Sequence, residues 1–154
     1  MTARVGRFGL DSNILVYAVE ADAGEKGQRA ALIVRRAIAT RRCVLTLQNI
    51  GEFYHVCARK RKAPAEAVAR QAADYGQLFP VIEPRMEDSR LALAEAAAGR
   101  FSYWDALLLA TLSRSGCTII LSEDMADGAR LGSIAVRNPL LGEEIPFDLA
   151  SMLS

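Results

Sequence analysis

FGLDSNILVYA, running from Phe8 to Ala18, decides the fold. Phe8–Leu10 has the apolar character of a short strand, which delivers the chain to Asp11, and Asn13 to Val19 then reads as a helical turn or two. A strand that passes straight into a helix opens a βαβ unit. The same alternation recurs downstream. Glu25 to Thr40 reads as an amphipathic helix with Ala31, Val34 and Ile38 on one face, and Cys43 to Leu47 is an apolar run of strand length. Gln48 to Lys62 returns to helical periodicity, and Pro64 suits the first turn of a helix reaching about Tyr75. Phe79–Ile82 is a further strand, Met86 to Ala98 an alanine-rich helix ended by Gly99, and Tyr103 to Ser115 a helix apolar nearly all round. Thr118–Leu121 is the clearest buried strand, and Ile134–Val136 the last. Strands alternating with helices of this length imply an α/β fold with a parallel central sheet.

A chain of 154 residues reads as one domain, with a core over about 8–140 and a tail over 141–154. Ile145, Phe147 and Leu149 of that tail are candidates to dock on the body or on a partner. The net charge is +1, so any binding to nucleic acid must come from local patches. Cys43, Cys57 and Cys117 are odd in number and form no CxxC pair, which argues against a disulfide framework or a structural zinc site and for a reducing cytoplasm. The start shows no signal-peptide run, and no stretch approaches the roughly 18 apolar residues of a membrane span.

In an open parallel sheet, active groups gather beyond the carboxyl ends of the strands. Asp11 follows the first strand, and Asp124 follows the Thr118–Leu121 strand. Glu52 falls in the first turn of the helix after Cys43–Leu47, and Asp105 in the first turn of the buried helix. Each has a plain structural reading. Asp11 and Asn13 can shape a turn, Asn49-x-x-Glu52 and Ser102-x-x-Asp105 resemble capping boxes, and Asp124 can favour a helix N-terminus. Together they are harder to explain so, because crowded carboxylates raise one another's pKa. A hard divalent cation, Mg2+ or Mn2+, relieves that cost through oxygen ligands. Such a site suits phosphodiester hydrolysis. Asp11 and Asp105 are then direct or near-direct ligands. Glu52 holds a metal-bound water and serves as base, and Asp124 completes the set. Asp127 is either a further member or a solvated turn residue beside Gly128.

The chain resembles the PIN-domain family, specifically the VapC-type toxins of prokaryotic toxin–antitoxin pairs. GLDSNILVYA around Asp11, LTLQNIGEFYHV around Glu52, FSYWDALLLATLSRSGC around Asp105, IILSEDMADG around Asp124 and the closing NPL at Asn138 to Leu140 carry the resemblance, in order, over roughly Phe8 to Leu140. It implies a three-layer α/β/α sandwich and endoribonuclease activity with Mg2+ or Mn2+. It also implies a homodimer and a small cognate antitoxin that inserts a segment near the acidic site. Asp11, Glu52, Asp105 and Asp124 match the family's acidic positions, and Asn13 and Ser122 its common polar ones.

Arg59-Lys60-Arg61-Lys62 either complements a helix C-terminus or contacts phosphates. Arg35-Arg36 and Arg41-Arg42 are less specific. His55, the only histidine, lies one turn beyond Glu52, and no GxSxG accompanies it. Trp104 and Tyr103 read as core rather than as platforms for bases. A receiver domain needs a lysine after a late strand, and no lysine follows Lys62. A haloacid-dehalogenase-type phosphatase wants DxD near the start, where this chain has Asp11-Ser12-Asn13. A catalytically silent scaffold that binds RNA or protein is the remaining alternative.

Overall fold

A computed structural model describes residues 6–154; Met1–Val5, the segment before the first strand, lies outside it. The elements run β1 (Arg7–Leu10), α1 (Ser12–Val19), α2 (Gly24–Thr40), β2 (Cys43–Thr46), α3 (Leu47–His55), a π-helical turn (Val56–Lys60), α4 (Ala65–Leu78) and β3 (Val81–Ile82). They continue with α5 (Met86–Ala97), α6 (Tyr103–Arg114), β4 (Cys117–Leu121), β5 (Arg130–Leu131), β6 (Ile134–Arg137) and α7 (Phe147–Met152). The six-stranded sheet has the order β3-β2-β1-β4-β6-β5 and is parallel except for the β5–β6 pair.

The central strands are largely buried on both faces, and their side chains alternate between two cores. Phe8, Leu10, Cys43, Leu45 and Leu121 join the core under α1, α2, α3, α4 and α7. Val44, Cys117, Ile120, Ile134 and Val136 join the opposite core with Ala92 of α5 and the leucines of α6. The result is the expected three-layer α/β/α sandwich. Helix α6 is buried without a break from Ala106 to Leu112. Burying one such leucine fully is worth about 1.5–3 kcal/mol. Gly9 lets it approach: a Cβ there would lie 2.6 Å from Leu112 Cδ1.

The chain builds outward from β1 to β2 and β3, then crosses back to place β4 on the other side of β1. The topological switch point, where ligands bind in such sheets, is therefore the cleft between the carboxyl ends of β1 and β4. The Asp11 N–H donates to Leu121 O at 2.9 Å and locks those two ends together.

Several expectations need correction. Strand β2 stops at Thr46, because the Thr46 side chain accepts from Asn49 N–H and the Asn49 side chain answers it, a capping box that starts α3 at Leu47. Glu52 therefore sits in the second turn of α3, and the Asn49-x-x-Glu52 box does not form. The expected helix to Lys62 ends at His55 and passes into the π turn. The buried residues of α2 are Gly27, Ala30, Ile33, Val34 and Ala37; of the expected Ala31, Val34 and Ile38, Val34 is buried, Ile38 packs half-buried against the core, and Ala31 is half-buried. Strand β5 and helix α7 were not foreseen. The tail does dock, through buried Leu149 and Met152, while Phe147 is exposed. Trp104 is 63% exposed and is not core. The three cysteines are free and buried. Among the described residues no helix is long and apolar enough to cross a membrane.

Candidate active site

Asp11 ends β1 and caps α1: its Oδ1 accepts the Ser12 N–H at 2.7 Å. Its Oδ2 accepts the Ser122 hydroxyl at 2.8 Å and the Asn13 amide at 3.2 Å. Asn49 Nδ2 stands 3.5 Å from Oδ1. Asp11 is buried, 6% exposed, yet no lysine or arginine pairs with it among the described residues. Burial pushes its pKa from an ordinary 3.8 to about 6; the Ser122 and Ser12 hydrogen bonds oppose this, and the Glu52 and Asp124 charges add to it. The cap is real, but it does not account for a site that makes ionisation costly.

Glu52 is half-buried and reaches the same place from α3. Its Oε2 accepts the Ser12 hydroxyl at 2.9 Å, and its Oε1 accepts the Gln48 amide at 3.1 Å. Gln48 also donates to the Trp104 carbonyl at 3.3 Å, which ties α3 to the first turn of α6. Asp105 stands in that turn. Ser102 caps α6 by accepting the Asp105 N–H at 3.1 Å. Burial raises the Asp105 pKa, Ser102 lowers it, and Glu52 and Asp124 raise it further. Asp124 is exposed on the turn after β4. Asp11 and Asp105 thus each feel the charge of Glu52 and of Asp124. The structure brings all four expected acids to one edge.

Ser122 and Asn13, the expected polar neighbours, both contact the Asp11 carboxylate. Asn13 Nδ2 lies 3.3 Å from Ser122 Oγ, and Asn13 Oδ1 accepts the Glu123 N–H at 3.1 Å. Asp127 does not join them. Its Oδ1 accepts the Asn138 N–H at 2.8 Å and lies 3.7 Å from Arg137 Nε, so it fastens the end of β6. His55 is exposed. Ser12, Gln48, Asn49 and Glu123 were missed, although each directly neighbours a residue already singled out or lies within a turn of it. Glu123 Oε1 pairs with Lys26 at 2.6 Å, while its Oε2 is buried without a hydrogen-bond partner among the described residues.

The donor chemistry fits a hard divalent cation. It consists of mutually repelling carboxylates, and among the described residues none of the four forms an ion pair with a lysine or arginine. The spacing is open: among the described residues no three histidine, cysteine or acidic side chains are gathered closely enough to hold an ion in common. Lys60 and Arg61 of the basic run line a cleft beside Ser12, Asn13 and Asp124.

The fold has counterparts among solved structures. VapC20 of Mycobacterium tuberculosis, a sarcin–ricin loop cleaving toxin, superposes with a TM-score of 0.60 at 15% identity over 76% of this chain and 89% of that one. VapBC2 of Rickettsia felis, seen bound to a DNA fragment from its promoter, gives 0.57 at 12% identity over 85% of this chain and 97% of that one. No curated protein matches the sequence significantly. The PIN domain model matches residues 9–126, a span that holds Asp11, Glu52, Asp105 and Asp124, and the chain belongs to the PIN domain family.

Proposed function

We propose that this protein is a divalent-metal-dependent endoribonuclease, the toxin of a toxin–antitoxin pair. One observation carries the reading: a buried carboxyl at the switch point, pushed up to about 6, among three further acids and with no protein cation beside it in the described residues. Structural carboxylates are normally paired or solvated. Mg2+ or Mn2+ would be held by Asp11 and Asp105, with Glu52 and Asp124 completing the set. A divalent ion bound there supplies acidified water and neutralises charge on the phosphodiester. Ser12, Asn13 and Ser122 fix the Asp11 carboxylate. Glu52, steadied by Ser12 and Gln48, takes up the proton of the attacking water. Membership of the PIN family and the resemblance of the fold to VapC20 and VapBC2 support RNA as substrate and a cognate antitoxin as partner; a homodimeric unit is part of the same proposal. The buried free thiols suit a cytoplasmic setting.

The open spacing of the acids favours one other reading, a silent scaffold of the same fold that binds RNA or protein. The test is incubation of the partner-free protein with total cellular RNA, with Mg2+, with Mn2+ and with chelator, beside Asp11→Asn. Metal-dependent cleavage that disappears in Asp11→Asn is expected. Cleavage by both proteins alike removes the site assignment, and RNA binding without cleavage establishes the scaffold.

A further inference from the structure

Four carboxylates at one edge repel a polyanionic substrate as well as each other, and one cation is built into the approach to them. The helix that carries Glu52 passes from α to π geometry at Val56. The Arg61 N–H donates to Val56 O at 2.9 Å, five residues back, and the Ala63 N–H to Cys57 O at 2.9 Å. Lys62 then adopts φ 56°, a left-handed conformation that non-glycine residues seldom take. In an unbroken α-helix the face of Glu52 continues through 55 and 56 to Arg59. The extra residue in a π turn moves that face on by one, so Lys60 takes the place of Arg59. Lys60 lines one cleft of about 250 Å³ with Ser12, Asn13, Val56, Arg61 and Asp124; Arg59 does not line it, and of the four acids Asp124 alone does. The Arg61 guanidinium is already held by Glu20 Oε1 at 2.5 Å. Among the described residues Lys60 has no carboxylate partner.

We propose that Lys60 is a substrate-positioning residue whose ammonium holds a backbone phosphate of single-stranded RNA beside the scissile one, and that the π turn is what places it there. This rests on the nuclease reading above. A lysine that merely complemented a helix C-terminus would be interchangeable with Arg59. π turns are frequent at functional sites.

Binding is measured by anisotropy of a labelled mixed-sequence single-stranded RNA on the full chain carrying Asp11→Asn, from 50 to 300 mM salt. Steady-state cleavage is measured in the otherwise wild-type chain. Lys60→Gln is expected to weaken binding several-fold, to raise KM by a similar factor with kcat nearly kept, and to flatten the log K against log salt slope by about 0.7. Lys60→Arg restores most of the loss. Arg59→Gln shifts the slope by less than half as much, and Arg90→Gln, exposed on the opposite layer, controls for net charge. Equal effects of Lys60→Gln and Arg59→Gln, or a fall in kcat at constant KM, would overturn the proposal while leaving the nuclease reading standing. A wild-type protein that cleaves no RNA with any divalent ion removes the nuclease reading, and the assignment of Lys60 with it.

Discussion

Replacing Asp11 by asparagine in metal-free protein should stabilise it at neutral pH and not at acid pH. Asp11 has a folded pKa of about 6 against an ordinary 3.8, so the folded protein keeps a proton that the unfolded chain gives up between about pH 4 and 6. Stability falls as pH rises through that window, and the full cost is present above it. The shift corresponds to about 3 kcal/mol above pH 7, of which about 2 kcal/mol develops between pH 4.5 and 7.5. The side chain introduced by Asp11→Asn keeps the shape and can still accept the Ser12 N–H. Its amide nitrogen then meets Ser122 Oγ, which can turn to accept, and the Asn13 amide, which loses a partner at a cost of about 1 kcal/mol. The net expectation is near-equality at pH 4.5 and about 2 kcal/mol in favour of the variant at pH 7.5. In a chain of this size that is about 4–8 °C in Tm. Thermal and urea unfolding with chelator present, at several pH values, measures it. Divalent metal at a hundred times its Kd returns about 2.7 kcal/mol to the wild type alone and closes the gap. A stability difference that is flat with pH, or that favours the wild type more at pH 7.5 than at 4.5, would refute the electrostatic account of this site.

Other outcomes follow from the same geometry. Glu52→Gln should lower kcat by at least about a hundredfold while its urea midpoint stays close to wild type, since the residue is half-buried and its amide can keep a hydrogen bond to Ser12. Gly9→Ala should cost about 1–3 kcal/mol in urea unfolding, because its Cβ meets Leu112 at 2.6 Å on the packed side of α6. Arg114→Ala should cost about 3 kcal/mol at pH 7, as it strands the buried Asp88 carboxylate that Arg114 Nη2 holds at 2.9 Å. Burial raises the Asp88 pKa, but Arg114 and the Arg85 N–H outweigh it and hold the carboxyl below 3.8; the loss therefore shrinks as pH falls below about 4. Trp104, the only tryptophan, should emit as a solvent-exposed indole and be quenched readily by acrylamide, whereas a blue-shifted, protected emission would show that its face is covered in solution.

The acidic edge was legible because it needs only the alternation of strand and helix. Once β1 and β4 are parallel neighbours, residues just past Leu10 and Leu121 must meet, whatever the chain between them does. The boundaries were harder. Leu47 continues an apolar run and looks like strand, but the Thr46–Asn49 capping box turns the backbone one residue earlier and leaves Leu47 half-exposed. Strand β5 has only two residues, and its signal is the two-residue Gly132-Ser133 turn, with Gly132 at φ 59°. Asp127 has the same local context as a site acid; only the position of Asn138 and Arg137, brought by β6, shows that it serves the fold instead. Trp104 looks apolar in sequence, yet α6 is buried from Ala106 onward and leaves its first turn at the rim. The π turn has no sequence signal that we can identify.

The central claim, that the four-acid edge is a divalent-metal site, is tested most directly by calorimetric titration of Mn2+ into the partner-free protein at pH 7.5, beside Asp105→Asn. The account expects saturable binding by the wild type, weakened at least about tenfold in the variant. Equal binding by both proteins, or no binding by the wild type at millimolar Mn2+, would contradict it.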